Sequence, residues 1–437
     1  MTKHPHAALG SALNPLRLVS ILAALASACL GLATSSVAAE KGPIKVGVLL
    51  PFTGIFAPNG EDVLTGMKIY LDSVGNEVAG RKIQLIIEDA QGKPDVGLTK
   101  ARKLVESDKV HVVTGIISSG VALAVNGYMR TQKLPFVVSG DAGVNDLTMP
   151  GKLHNDHLVR TSQTGRTPGA TAADWGYKKM NWRKASVISS DYAGGLEVAG
   201  SFAQIFCQLG GKVVQEQYPP LGTNDYGPFL TNLNRSVDVV VSFIPGADGL
   251  RFGRQFLETG VKEKIPLMDI YGQVAYEPNL VQYGDAGVGI LSALHYTSEI
   301  DTQLNKDFVK QFRAKLKRTP ADNGPDGWVG ARAIVEAAKA INGDVENVPK
   351  FMDALMHVKF PSPKGDISLD KYGNVNQTMY IRKVEKRGSD YVNVPVASYP
   401  NQDQFWPYTD KEYESFKYSY AQLKGKMTDC AKYLEKK

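Results

Sequence analysis

The sequence predicts an α/β protein of two lobes, each built on a doubly wound parallel sheet. From residue 44 onward, short apolar strand patterns alternate with amphipathic helix patterns, an order that is typical of parallel strands covered by helices. The same alternation starts again after Arg160. Two such units in tandem imply two lobes with a cleft between them.

The first unit opens on a buried strand at residues 46–50. A Gly-rich loop with Phe52, Thr53 and Phe56 follows, and the next helix starts near Asn59. In an open α/β sheet, ligands bind beside such loops, at the carboxyl ends of the strands. Two aromatic rings and a hydroxyl group suit a small organic ligand better than a nucleotide phosphate.

The remaining elements follow from the same patterns. In the first unit, strands are predicted at residues 82–88, 110–114 and 136–139, and helices at 96–107 and 121–131. In the second unit, strands are predicted at 184–189, 212–218, 237–243 and 267–271, and helices at 195–209, 229–233 and 250–259. Helices follow at 305–318, 328–341 and 348–356, then strands at 365–369 and 377–384. Residues 391–437 fit no ordinary α/β unit, and we interpret them as an extended tail packed on one lobe.

Residues 1–39 have the pattern of a secretory signal. Lys3 and Arg17 supply positive charge, an uncharged apolar run covers residues 18–32, and small residues ending at Ala39 offer a cleavage site. The run is short for a membrane span, which needs about 20 residues, so an uncleaved anchor is the less favoured alternative. Cys29 lacks the leucine that usually stands three residues before a lipidated cysteine. We therefore expect an exported, soluble protein.

The composition is that of an ordinary globular protein, with 43% hydrophobic and 22% charged residues. The net charge is +6, and it becomes +4 once residues 1–39, which hold two basic residues and no acid, are removed. Because the basic residues are scattered, no nucleic-acid partner is expected. Cys207 and Cys430 remain after removal of the signal, and an even count in an oxidising compartment favours one disulfide over two free thiols.

Four stretches carry a resemblance to a known family. They are the strand, loop and helix at 44–72, the Gly-Ile-Ile-Ser-Ser loop at 115–119, the Val-Arg-Thr crossover at 159–161, and the Gly-x-x-Asp-aromatic-x-Pro-x-Leu turn at 222–230. Over about residues 44–385 the chain resembles the periplasmic solute-binding proteins of bacterial ABC transporters, of the branched-chain amino acid (leucine/isoleucine/valine) type. This match is more specific than any single motif.

The resemblance implies the type I periplasmic-binding-protein fold, with three crossovers at the hinge. Residues 40–161 and 297–357 would form lobe one, and residues 162–296 and 358–437 would form lobe two with the tail. A small-molecule ligand would bind in the cleft, and its contacts with both lobes would favour closure. The protein would be periplasmic and monomeric. In its closed form it would bind an ABC permease in the inner membrane.

Family members that bind α-amino acids hold the ligand carboxylate with a serine hydroxyl and backbone N–H groups. Ser119 matches that serine, while neighbouring Ser118 has the alternative role of capping the next helix. The loop Ser139-Gly140-Asp141-Ala142-Gly143 matches the backbone donors, and a Gly-rich turn of this kind can hold an anion. A carboxylate is therefore an expected part of the ligand.

The positions that hold the ligand ammonium in such proteins are changed. Tyr271, followed by Gly272 and Gln273, stands where the acidic counter-ion is expected, and Gly143 replaces a hydroxyl side chain. A further acidic position falls on Gly165, next to Arg166. Because a buried ammonium without a carboxylate costs several kcal/mol, an ordinary amino acid is disfavoured.

The predicted ligand is a small aromatic or hydrophobic carboxylate. Arg166 would pair with the carboxylate through two hydrogen bonds, with a surface salt bridge as its alternative role. Thr53 and Gln273 are candidate polar contacts. The candidate ring-stacking residues are Phe52, Phe56, Tyr192, Phe243 and Tyr271.

Other functions stay open at this stage. Uptake of a branched-chain amino acid or amide, or ligand sensing for a separate membrane receptor, would use the same fold. No phosphate loop, nucleophile elbow or His-Glu-x-x-His motif is present in the sequence, so neither catalysis nor a cofactor is expected. The run from His154 to His157 has zinc-like residue types without further ligands nearby, so no metal is expected.

Overall fold

The computed structural model describes residues 41–149 and 153–437. The secretory signal predicted for residues 1–39, with its cleavage near Ala39, lies outside the described residues. The predicted architecture is confirmed: two α/β sheets, each covered by helices, form the two lobes of a type I periplasmic-binding-protein fold.

Lobe one is built on a six-stranded sheet, counted over the described residues, in the order β2-β3-β1-β4-β5-β6. Its strands are β1 (Ile44–Leu50), β2 (Glu77–Val78), β3 (Arg81–Asp89), β4 (Val112–Gly115), β5 (Phe136–Val138) and β6 (Leu158–Arg160). Its helices are α1 (Ala57–Ser73), α2 (Pro94–Arg102) and α3 (Ser119–Gln132). All pairings are parallel except that of β2 with β3.

Lobe two is built on a larger mixed sheet. Its parallel part consists of β7 (Lys184–Ser189), β8 (Lys212–Gln217), β9 (Val239–Phe243), β10 (Leu267–Ile270) and β11 (Leu291–Leu294). Its helices are α4 (Arg166–Lys179), α5 (Ala193–Gln208), α6 (Gly227–Thr231), α7 (Ala247–Glu258) and α8 (Glu277–Tyr283). Strands β9 and β10 are buried along their whole length, as expected for parallel strands covered on both faces.

The chain then returns to lobe one and crosses again. Helices α9 (Gln303–Leu316), α10 (Asn323–Ala340) and α11 (Val348–Met356) are followed by β12 (Lys359–Ser362), β13 (Gly365–Leu369) and β14 (Val375–Arg387). Phe360 and Ile367 pack in the core of lobe one, whereas β14 runs from that core at Val375 into lobe two at Ile381. The β12–β13 hairpin thus contacts the core of lobe one while its strands extend the lobe-two sheet through β14, and the predicted lobe bounds stay a prediction.

Two glycines let α1 and α10 pack closely within lobe one. A methyl group built on Gly66 would lie 1.7 Å from the carbonyl oxygen of Gly324, and one on Gly327 would lie 1.9 Å from that of Val63. Each distance is far inside van der Waals contact. Helix α1 begins directly after the loop that carries Phe56, so this contact holds the helix beside that loop against α10.

The tail differs from the predicted extended segment on one lobe, because it contains a strand and two helices and contacts both lobes. Residues Asp390–Gln402 form a strand, β15, that pairs antiparallel with β14, and α12 (Asp410–Glu414) and α13 (Cys430–Leu434) follow. Cys207 of α5 and Cys430 of α13 form the predicted disulfide. The tail packs on lobe two, and it also contacts lobe one, where the Thr148 hydroxyl donates to Gln404 Oε1 at 2.7 Å.

Among the described helices, none has the length and apolar character needed to span a membrane.

Candidate ligand site

Four aromatic rings meet where strands of the two lobes end. Phe56 comes from the loop after β1 in lobe one. In lobe two, Tyr192 and Tyr271 follow β7 and β10, and Phe243 is the last residue of β9. The ring centroids of Phe56 and Tyr192 lie 6.5 Å apart, those of Tyr192 and Phe243 6.2 Å, and those of Phe243 and Tyr271 5.4 Å. These separations are those of interacting aromatic pairs, so the rings form one continuous cluster across the cleft.

The backbone is strained on both sides of this cluster. Ile116 after β4 has φ of 68°, and Tyr271 after β10 has φ of 71°. A β-branched or bulky residue rarely adopts such an angle, and strain of this kind is common at functional sites.

Asp269 holds the loop that follows β10 in lobe two, because its carboxyl group accepts the Ala275 N–H at 2.8 Å. Burial raises the pKa of Asp269 to about 7, against the opposing effect of that hydrogen bond.

The two lobes touch each other around the cluster. The Tyr271 hydroxyl donates to the carbonyl oxygen of Asp141 at 3.4 Å, and the Asn59 amide donates to Gln273 Oε1 at 3.3 Å. The Ala247 N–H donates to the carbonyl oxygen of Ile55 at 2.9 Å. The cavity between the rings has a volume of about 10 Å³, which is room for about one water molecule. The lobes are thus closed, and a ring-sized ligand enters only when they separate or the rings rotate.

A wider groove of about 600 Å³ adjoins the cluster and opens to solvent. It shares Asn59 and Gln273 with the cluster and is lined by both lobes. Its lobe-one wall includes Phe52 and Arg318, and its lobe-two wall includes Tyr276. The groove therefore lies next to the enclosed rings, separated from them by these two shared residues.

Ser119 lies at the amino end of α3, facing lobe two. A methyl group built on Gly194 would lie 2.9 Å from Ser119 Oγ and 2.6 Å from the Tyr192 hydroxyl, so these two hydroxyl groups are neighbours across the cleft. Ser118 occupies the cap position, but its side chain makes no capping hydrogen bond. The amino end of a helix of this length favours an anion, because its first N–H groups have no partner inside the helix.

The predicted loop at 139–143 is placed beside the cleft, but much of it is used internally. The N–H groups of Ser139 and Gly140 both donate to the carbonyl oxygen of Gly115 at 3.1 Å, and that of Ala142 donates to Gly140. The Ser139 hydroxyl pairs with Thr114 at 2.9 Å. In this structure these groups bond within the loop and its neighbouring strands, and their role as ligand donors stays a prediction. Gly143 leaves room for the Tyr271 side chain, because a methyl group on Gly143 would lie 2.9 Å from the Tyr271 hydroxyl.

Asp141 brings a carboxyl group to the cluster, where the sequence predicted only a backbone donor. Its Oδ2 accepts the Asn323 amide at 2.7 Å, and a hydrogen bond links its carboxyl group to that of Asp322. Burial, together with the negative charge of Asp326, raises the pKa of Asp141 to about 7. The sequence prediction considered only the ammonium positions at Tyr271, Gly143 and Gly165 and gave the Asp141 side chain no role of its own.

Two other predicted contacts lie elsewhere. The Thr53 side chain is exposed and donates to Asp89 Oδ2 at 2.8 Å, where it fixes the loop of lobe one. Arg166 is fully buried beneath the tail, where it donates to the carbonyl oxygens of Gln404 and Trp406 and lies 4.5 Å from the ring centre of Tyr413. Neither residue lines the aromatic cluster, so we leave both out of the ligand site.

A buried polar network ties the crossovers together behind the cluster. Lys364 donates to the carbonyl oxygens of Thr161 and Ser162 at 3.0 and 3.2 Å and pairs with Asp326, which also bonds His295 Nε2 at 2.9 Å. Burial lowers the pKa of His295 to about 4, so the imidazole is neutral at pH 7. His295, Asp322 and Asp326 have metal-ligand atoms within 4.8 Å of one another, but the Lys364 ammonium already supplies the positive charge there.

The residues that sequence reasoning missed are Asn59, Ile117 and Pro245, which line the space between the rings. Each follows the carboxyl end of a predicted strand, the position that identified their aromatic neighbours. The sequence offered no chemical reason to prefer them. Asn59 was predicted only as a helix start.

Comparisons with known proteins agree with this arrangement. Residues 43–389 match the periplasmic binding protein family. The Leu/Ile/Val-binding protein homolog 6 of Brucella melitensis biotype 1 is 28% identical over 392 residues, which cover 87% of this chain and 97% of that protein.

Two solved structures from Rhodopseudomonas palustris are similar over most of the chain. A solute-binding protein of an ABC transporter from strain BisB5, in complex with 3,4-dihydroxybenzoic acid, is 30% identical with a TM-score of 0.78, over 83% of this chain and 99% of that one. Another, in complex with benzoate, is 29% identical with a TM-score of 0.76, over 83% and 98%. With two lobes, a closed cleft and a match over most of its length, this chain belongs to the periplasmic binding protein family.

Proposed function

We propose that the protein is the extracytoplasmic solute-binding component of an ABC importer and that it captures a small aromatic carboxylate. The observation that carries this proposal is the continuous cluster of Phe56, Tyr192, Phe243 and Tyr271 across the closed cleft. Complexes of similar proteins with benzoate and 3,4-dihydroxybenzoic acid support it. Export to the periplasm, signal cleavage near Ala39 and action as a monomer are parts of the same proposal.

In this proposal the ligand ring lies among the four aromatic side chains, and its carboxylate lies at the amino end of α3. Ser119 and Tyr192 supply hydroxyl groups there, and the first N–H groups of α3 supply the favourable electrostatic field. The ligand contacts both lobes at once, so its binding free energy favours closure. The closed form then docks on a membrane permease, and binding rather than catalysis is the activity.

Branched-chain amino acid uptake is the second candidate. The Brucella relative is described as a Leu/Ile/Val-binding homologue, and the Asp141 carboxyl lies where it can face a ligand ammonium. The four rings favour the aromatic ligand, because an aliphatic side chain needs no such cluster.

Calorimetric titration of the purified protein decides between the two. We expect benzoate-type acids to bind with micromolar or lower Kd and leucine, isoleucine and valine to bind much more weakly. Tyr271→Ala is expected to weaken aromatic binding by about tenfold or more, since stacked rings contribute about 1 kcal/mol beyond their buried area. Tight binding of leucine together with no binding of any aromatic acid would reject the proposal.

A further inference from the structure

Two acidic side chains of lobe one meet beside the ring cluster. Asp141, in the loop after β5, lines the space between the rings, and Asp322 stands at the amino end of α10. A hydrogen bond links their two carboxyl groups. Two ionised carboxylates have no hydrogen atom to share, so this bond requires a proton. The two groups, here called the carboxyl pair, therefore hold at least one proton and titrate as a unit.

The cations around the carboxyl pair are each bonded to another acid. The Lys364 ammonium lies 2.5 Å from Asp326, and the Arg382 guanidinium lies 3.2 Å from Glu277. Both cations favour ionisation of the pair. They are outnumbered, however, because the pair, Asp326 and Glu277 together make four acids to two cations. A proton on the pair lowers this excess of negative charge.

Four further neighbours of the pair have polar side chains: Asn323, Tyr192, Tyr271 and His295. Burial raises the pKa of the two phenols and lowers that of the imidazole to about 4, so these groups are neutral at pH 7. The Arg160 guanidinium interacts with Tyr271 and Glu197. Burial also raises the pKa of both carboxyl groups of the pair, that of Asp141 to about 7.

Given the proposed function, on which this inference rests, we propose that Asp141 and Asp322 hold a proton that the site needs in order to bind an anion, and that they thereby determine the charge of its ligand. Loss of this proton leaves a further negative charge beside the rings, which repels a ligand carboxylate and attracts an ammonium. Binding of an anion is therefore coupled to proton uptake. The proton comes from solvent and bonds to a carboxyl oxygen of the pair, and the ligand itself is unchanged.

This coupling has a definite direction with pH. A bound anion raises the pKa of the carboxyl pair, because like charges disfavour ionisation. The affinity for an anion is therefore highest where the pair of the free protein is protonated, and it falls as the pH rises through the titration of the pair. A pair that stays in one charge state gives no such dependence.

The probe is benzoate, whose own carboxylate stays ionised at neutral and alkaline pH. Calorimetric titration of the purified wild type at about pH 6 and about pH 8.5 measures Kd, and titrations at about pH 7 in buffers of different ionisation enthalpy count the protons taken up. Between the two pH values we expect Kd to rise at least about tenfold. At about pH 7 we expect uptake of about 0.5 proton per bound benzoate, since a group at its pKa is half protonated.

The variants assign these effects to the carboxyl pair. In the double variant Asp141→Asn/Asp322→Asn, which cannot titrate at either position, Kd should change less than about twofold with pH and proton uptake should be close to zero. Asp191→Asn removes an exposed acid next to Tyr192 in the sequence and should keep the wild-type values. Asp269 is unchanged in all these variants, so a pH effect from the loop after β10 would persist in the double variant.

The outcomes separate this inference from the proposed function. If benzoate binds the wild type with a constant Kd and no proton uptake, the coupling is wrong and capture of aromatic acids stands. If no aromatic acid binds at either pH, both proposals fail. If the double variant keeps both effects, the assignment to Asp141 and Asp322 is wrong. If the double variant does not fold, as judged by circular dichroism, Asp141→Asn decides: a midpoint shifted by about one pH unit or more supports the assignment, and an unchanged midpoint rejects it.

Discussion

At the scale of single residues, position at the carboxyl end of a strand identified the ring cluster. Each of the four rings lies at or just after the end of a strand whose apolar run is visible in the sequence, and the structure brings them together: Phe56, Tyr192, Phe243 and Tyr271. Arg166 shows the limit of this reasoning. Its guanidinium is held by carbonyl groups of residues 404 and 406, more than 200 positions away, and no local pattern predicts such a contact.

Asp269 provides a pH-dependent test of the loop that carries Tyr271. Its pKa is about 7 in the folded protein, against an ordinary value of 3.8 for an aspartate exposed to water, so the folded state holds a proton that the unfolded state releases. The titration of Asp269 therefore lowers the free energy of unfolding as the pH rises from about 4 to about 7. Below about pH 4 and above about pH 7 it has no further effect, because the carboxyl group then has the same charge in both states.

For Asp269→Asn, which cannot titrate, we expect this part of the pH dependence to disappear. Between pH 5 and pH 7 the wild type should lose about 2 kcal/mol of unfolding free energy relative to the variant, at about 1.4 kcal/mol per pH unit. Urea denaturation at the two pH values measures the difference. Parallel profiles for the two proteins would show that Asp269 is ionised throughout this range.

At the scale of elements, regular α/β alternation was predictable and the tail strand was not. Strands at 184–189 and 365–369 and the helix at 348–356 have the predicted bounds. Strand β15 contains Pro395 and Pro400, which argue against a strand in any sequence pattern. Among the described strands it pairs with β14 alone, and proline is tolerated on an edge strand because one side of its backbone needs no partner.

The contact between α1 and α10 gives an element-scale prediction. In Gly327→Ala the added methyl group meets the Val63 carbonyl oxygen at 1.9 Å, so the helices must move apart. We expect a loss of about 1–3 kcal/mol of unfolding free energy, the usual effect of overpacking. Gly127→Ala on α3 is the matched control: it has open space around it and should gain up to about 1 kcal/mol. Equal effects in the two variants would contradict the packing argument.

At the scale of the whole molecule, the lobes are joined by more than their crossovers. The Lys364 network holds the first crossover at Thr161 and Ser162 and, through Asp326, the second at His295. The tail adds a separate link, because the Gln404 side chain bonds both Thr148 of lobe one and Asp370. Sequence patterns cannot predict either link, since both join residues that are distant in the chain and belong to no regular element pair.

The Cys207–Cys430 disulfide closes a loop in which the two cysteines are 223 positions apart, and it fixes the end of the tail on α5. In Cys430→Ser we expect a loss of about 2–4 kcal/mol of unfolding free energy, because the unfolded chain regains the freedom that the bond removes. Cys207→Ser should have a similar effect, and the double variant should be no less stable than either single one, since each removes the same bond. Chemical denaturation with and without reductant measures these values. A wild type whose stability does not change on reduction would show that the tail is held by its packing alone, through the rings that surround Arg166.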